Sequence, residues 1–233
     1  MKVQTLLDGQ SYIFATFKGP VSAIGWEQQE SILFGGNQNI CGTCGLYLRD
    51  CRCRTAVPLA MEHRVTLVTT CRESRIRSNT GRLLSLRLDN MRTIYLGTEG
   101  WEGEVAAEKE NDSYAPVVLF PSQGSAPAAE VTAKTGKPLN IFVLDTNWGS
   151  ARKWISKKIF HDMKKVDLKN SYASRYALRR SPNPNHLCTY QSLACLLGET
   201  SVHLQAASLD LLDTLDHVMA CMARERDESV RQR

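Results

Sequence analysis

The chain has 233 residues, 42% of them hydrophobic, enough to bury the core of one main domain with a small appendage. No run approaches the roughly 18 apolar residues of a membrane span, and the N-terminal stretch lacks the basic, apolar, small-residue progression of an export signal. A cytoplasmic protein with no membrane partner is therefore expected. The net charge of +5 conceals an uneven distribution, because residues 152–180 hold ten Lys or Arg against two Asp, a local +8 that leaves −3 elsewhere.

Residues 1–40 contain one predicted strand at 12–17 and a Gly-Gly-Asn-Gln-Asn loop at 35–39, and no function follows from them. Residues 41–60 are cysteine-rich and too short for a core of their own. Beyond them, apolar runs alternate with helical patterns, which predicts an α/β domain over 61–223 and a charged, fraying tail over 224–233. The runs Val65–Val68, Thr93–Leu96, Val117–Phe120 and Ile141–Leu144 are β-branched or apolar throughout, as in parallel strands covered on both faces. Helices are predicted to start near Ser78-Asn79, Ser150 and Thr189, where a short polar side chain can accept a bond from an unpaired N–H. A last helix is predicted over about 202–226, since Leu204, Leu211, Leu215, Val218 and Met222 share one face. Residues 99–112 (acidic) and 121–137 (rich in Pro, Gly, Ser and Ala) read as loops.

Two patterns carry chemistry. Cys41, Cys44, Cys51 and Cys53 form C-x2-C-x6-C-x-C, in which two close thiolate pairs can converge on one tetrahedral zinc. A closed four-cysteine site would be structural, and the alternative is reduced thiols in a loose loop. Cys71, Cys188, Cys195 and Cys221 are scattered and read as buried small hydrophobes. The second pattern is Leu144-Asp145-Thr146-Asn147-Trp148, an apolar strand ending in an acid and followed at once by a basic helix. Ligands of open α/β sheets sit beyond the carboxyl ends of strands, which places Asp145 and Trp148 well. Spacing alone leaves open a helix cap and a core tryptophan instead.

Taken in order, these pieces resemble the DTW-domain family. That family combines a C-x2-C and C-x-C cluster with an Asp-x-Thr-Trp motif after an apolar strand. Further similar pieces are Cys71-Arg72-Glu73, Asn79-Thr80-Gly81-Arg82-Leu83-Leu84, residues 119–125, residues 176–180 and residues 187–192. Three positions depart: Asn147 stands for threonine, and Gln123 and Gln191 stand for glutamates. Neither residue type titrates, which leaves Asp145 as the acid of these motifs able to act as a base.

The resemblance implies a SPOUT-like knotted α/β fold with a mostly parallel sheet, flanking helices and a small four-cysteine zinc segment. It implies S-adenosylmethionine as cofactor, held by Leu119, Pro121, Ser122, Leu144, Cys188 and Thr189, with Asp145 and Trp148 as catalytic residues. The implied reaction moves the cofactor's 3-amino-3-carboxypropyl group to a uridine in tRNA. Asp145 would take the N3 proton, provided burial raises its pKa. Alternatives are a non-catalytic zinc-dependent RNA-binding protein, or modification of ribosomal RNA. Arg152, Lys153, Lys157, Lys158, Lys164, Arg179 and Arg180 would contact RNA phosphates, unless the basic run is only a solvated face. DNA is not an expected partner, and oligomeric state does not follow.

Overall fold

A computed structural model describes residues 4–5, 11–12, 39–53, 55–178 and 185–231. The remainder of the predicted strand at 12–17, most of the 35–39 loop, and Arg179 and Arg180 lie outside the described residues. Short strands β1 (Gln4–Thr5) and β2 (Ser11–Tyr12) pair antiparallel.

The domain is built on six parallel strands. In chain order come β3 (Arg64–Thr69), helix α1 (Cys71–Ser74), a 3-10 turn (Gly81–Leu86), β4 (Met91–Tyr95) and α2 (Trp101–Lys109). Then follow β5 (Ala115–Leu119), β6 (Ala126–Pro127), α3 (Ala128–Thr135) and β7 (Leu139–Leu144). The chain continues through α4 (Trp148–Ile155), α5 (Lys158–His161) and β8 (Lys164–Asp167). It closes with α6 (Thr189–Thr200), a 3-10 turn (Val202–Leu204) and α7 (Gln205–Arg231). The order across the sheet is β4-β3-β7-β5-β8-β6, so β7 is inserted between β3 and β5.

All six residues of β7 are buried, as a strand covered on both faces requires. Alternation divides them. Leu139, Ile141 and Val143 join Val65, Leu67 and Val117 under α6 and α7, whereas Phe142 and Leu144 join Val68, Val118 and Ile94 under α2, α4 and α5. Each such buried aliphatic or aromatic side chain contributes about 1.5–3 kcal/mol. Asn140, on the second face, is a buried exception that is fully used. Its Nδ2 donates to the Glu108 backbone oxygen at 3.0 Å and its Oδ1 accepts from Thr66 Oγ1 at 2.8 Å. Burial works against the charge of Glu108, but the two-pronged Arg64 guanidinium outweighs it and holds the carboxyl below its usual range.

The four predicted strands are present, each shifted or extended by one or two residues. Several predicted segments differ. Residues 99–112 contain α2, because Glu102 and Glu104 favour the positive start of a helix and Val105 seals it to the sheet. Residues 121–137 contain β6 and α3, whose Ala128 and Val131 are buried and whose end is turned by Gly136 at φ +65°. The basic segment is not one helix but α4, α5 and the edge-side strand β8. No α-helix starts at Ser78-Asn79; the 3-10 turn begins at Gly81. The last helix runs on to Arg231 rather than fraying near 226. Cys195 and Cys221 are buried and Cys188 is half-buried, but Cys71 is exposed at the start of α1. Among the described residues, no helix is long and apolar enough to cross a membrane.

Candidate functional site

The cysteine segment turns on a tight knuckle in which Gly45 N donates to the Cys41 carbonyl at 2.9 Å and Cys41 N to the Leu46 carbonyl at 2.8 Å. Gly45 has φ +75°, and an added Cβ would lie 2.0 Å from Arg82 Nη2. The Sγ atoms of Cys41, Cys44, Cys51 and Cys53 all lie within 4.8 Å of one another, with Cys41 and Cys53 3.7 Å apart. Four thiolates around a zinc with 2.3 Å bonds would be separated by about 3.8 Å, so the donor set fits that ion. Hydrogen bonds among the thiols favour one thiolate, pushing Cys41 down while Cys44 and Cys53 are held up. Cys41, Cys44 and Leu46 belong to the main core rather than to a separate lobe. The C-terminal helix grips the segment. Arg49 pairs with Glu228 at 2.7 Å, Asp50 with Arg224 at 2.6 Å, and Glu225 accepts from Tyr47 N at 3.2 Å and from Arg77.

Asp145, 3% exposed, ends β7 at the carboxyl edge of the sheet. Its Oδ2 accepts from Thr69 Oγ1 at 3.0 Å and Asn79 Nδ2 at 2.8 Å, and its Oδ1 from Thr189 Oγ1 at 2.9 Å. Burial raises its pKa, against the pull of these bonds and of the Arg82 charge. Asp145 does not cap α4. Asn147 does, accepting from Ser150 N at 3.0 Å, which a threonine hydroxyl would do equally well. Thr189 begins α6 but spends its hydroxyl on Asp145.

One short stretch joins the cysteine cluster to this carboxylate. Arg82 Nη2 donates to the Cys44 carbonyl at 3.0 Å and also to the Arg77 carbonyl, while Arg82 N donates to Asn79 Oδ1 at 3.0 Å. The other end of Asn79 holds Asp145. Between them, a Cβ on Gly81 would meet the Asp145 carboxylate at 2.4–2.6 Å, so glycine alone allows the approach. Burial pushes the Arg82 guanidinium down to about 10.

Two clefts open side by side at this edge. The larger, about 580 Å³, has walls that include Leu119, Pro121, Leu144 and Thr189 of the expected cofactor set, with Arg152 at its rim. The smaller, about 420 Å³, is lined by Glu73, Ser78, Asn79, Asp145, Tyr176 and Cys188, among others. Trp148 borders both, with its ring 4.9 Å from that of His186 and 6.2 Å from that of Phe120. Ser122 borders neither cleft, and among the described residues its buried hydroxyl has no partner.

Residues with no recognisable motif complete the walls. Glu199 of α6 accepts from the backbone of Lys169 (2.6 Å) and Asn170 (2.8 Å) and from Tyr172 Oη (2.9 Å). Gln191, 1% exposed, accepts from Arg175 N at 2.9 Å and donates to the Ala173 carbonyl at 2.8 Å. A glutamate at 191 could only accept, so glutamine is the residue that satisfies both groups. Glu73 is a second acid on the smaller cleft beside Asp145. Of the expected RNA contacts, Arg152, Lys153, Lys157, Lys158 and Lys164 are all exposed, and the Lys157 ammonium lies 5.3 Å from the Trp101 ring.

The sequence model of the DTW domain matches residues 38–223, a span that takes in the cysteine cluster and every cleft residue named above. No solved structure matches the chain.

Proposed function

The chain belongs to the DTW-domain family, and from that premise we propose that it transfers the 3-amino-3-carboxypropyl group of S-adenosylmethionine to a uridine base in tRNA. Membership points to tRNA modification and an RNA partner. The finer reading is carried by one observation: a partition bearing Trp148 separates two adjoining clefts at the carboxyl edge of the sheet. A group transfer between two bound molecules needs such adjacency.

The larger cleft suits the cofactor. Leu119, Leu144 and Phe120 offer apolar walls, and Asn170, Ser171 and Ser192 on the same walls carry polar groups for an adenosine. The cofactor supplies a carbon activated by its sulfonium, with methylthioadenosine as leaving group. Behind the partition, Asp145 places a negative charge that favours a cation nearby. The exposed cations from Arg152 to Lys164 suit a polyphosphate backbone. A non-catalytic RNA-binding role draws its support from Gln123, Asn147 and Gln191; the helix cap and the loop clamp account for the last two, and nothing in the structure explains Gln123.

The test is mass spectrometry of nucleosides from tRNA, and separately from ribosomal RNA, incubated with the protein and labelled S-adenosylmethionine. A labelled uridine with methylthioadenosine released is expected. Release of S-adenosylhomocysteine would assign methyl transfer instead, and a substrate confined to ribosomal RNA would replace tRNA.

A further inference from the structure

We propose that the smaller cleft is the slot for the target base, and that Glu73, not Asp145, accepts the proton that base loses. The inference rests on the transferase reading. The volume, about 420 Å³, admits a single unstacked nucleotide, and the cleft's aromatic wall is the Trp148–His186 pair with ring centroids 4.9 Å apart. Such a pair offers a π-face for a base taken out of its stack. The other walls mix short polar side chains, Ser78, Thr80 and Ser174, with Tyr176, Leu187 and Cys188.

The two acids on this cleft differ in what they can still accept. Asp145 is almost wholly buried and its two oxygens hold Thr69, Asn79 and Thr189. Glu73 sits half-buried in the short helix α1 after β3, where its backbone N–H donates to the capping Thr70 Oγ1 at 3.1 Å. Among the described residues its carboxylate has no hydrogen-bond or ion-pair partner. Because proton transfer is concerted with departure of the sulfonium's leaving group, what the acceptor needs first is an open lone pair on the cleft, and Glu73 keeps all of its own. In the step, the uridine N3–H proton passes to a Glu73 oxygen while N3 bonds to the cofactor carbon. The bond from that carbon to sulfur breaks, its electron pair neutralising the sulfonium as methylthioadenosine leaves.

The test uses the full chain, single-turnover kinetics and 4-thiouridine-substituted tRNA cross-linked by light. Glu73→Gln is expected to lose on the order of 10²- to 10⁴-fold in turnover. Cofactor and tRNA affinities should stay at wild-type values. Asp145→Asn should retain more of the single-turnover rate at saturating cofactor than Glu73→Gln does. Cross-links are expected on Trp148, His186 or Tyr176, of which Tyr176 borders the smaller cleft and not the larger, and His186→Ala, which touches both clefts, should weaken binding of tRNA about tenfold. Glu73→Gln turning over at the wild-type rate, or cross-links confined to Phe120 and Tyr172 of the larger cleft, would overturn the assignment alone. A wild-type protein that transfers nothing to uridine would overturn it together with the transferase reading.

Discussion

The cysteine cluster and the Asp145 site solve opposite assembly problems. All four thiols come from thirteen consecutive residues, so local turns bring them together and a bound ion can complete what the short segment lacks. The Asp145 carboxylate instead collects Thr69 from β3, Asn79 from the turn after α1 and Thr189 from the start of α6, and only the finished sheet unites them. The first region depends on its ligand and the second on the fold. They meet in Arg82 and Asn79, which makes the comparison open to test.

The largest effect should come from the cluster. Replacing Cys41 and Cys44 by serine should remove about one zinc per chain, worth on the order of 10 kcal/mol to such a segment, and leave the chain poorly folded. Elemental analysis with circular dichroism reads both, and a metal-free protein with unchanged melting would dissolve the contrast between the regions.

Arg82→Met strikes the joint. It strips the Cys44 and Arg77 carbonyls of a shared buried donor, at about 3 kcal/mol, and should weaken cofactor binding while the metal content holds. Denaturant unfolding and calorimetry check this. Loss of stability with unchanged cofactor affinity would show the regions to be independent.

Gln191→Glu should cost about 1–3 kcal/mol by leaving the Ala173 carbonyl without its donor and burying a charge. Denaturant unfolding tests this as well, and a variant as stable as wild type would remove the clamp on the 173–175 loop. A subtler effect belongs to Asp145. Its folded pKa is raised, so the fold binds this proton more tightly than the unfolded chain does. The associated stability is complete below the ordinary aspartate range and is lost as pH rises through the raised value. Asp145→Asn carries no such cost, so its stability relative to wild type should be greater at pH 7 than at pH 4 in urea titrations, and the reverse order would contradict the assigned shift. The smallest effect is expected for Asn147→Thr, which keeps a capping oxygen and should stay within about 0.5 kcal/mol in melting.

What could be read from residues alone was whatever depends on near neighbours. The strands announce themselves by β-branched or apolar runs at 65–68, 93–96, 117–120 and 141–144, which miss the observed ends by at most two residues, and the thiol cluster by its spacing. The place of Asp145 and Trp148 at a strand end is legible too, but spacing alone leaves a helix cap and a core tryptophan open. Local polarity misled where tertiary packing supplies the apolar face, as at Trp101–Lys109 and Ala128–Thr135, where one or two buried residues suffice to hold a helix against the sheet. Contacts across long separations had no local sign at all. Nothing near Glu199 points to the Lys169–Tyr172 loop it secures, and nothing near His186 points to Trp148. Nor does the spacing of Asn79, Gly81 and Arg82 reveal that one turn touches both the metal knuckle and the carboxylate. Sequence specifies such a residue's chemistry, but its partners are set by which strands lie side by side, and β7 lies between β3 and β5, of which β3 is remote from it along the chain.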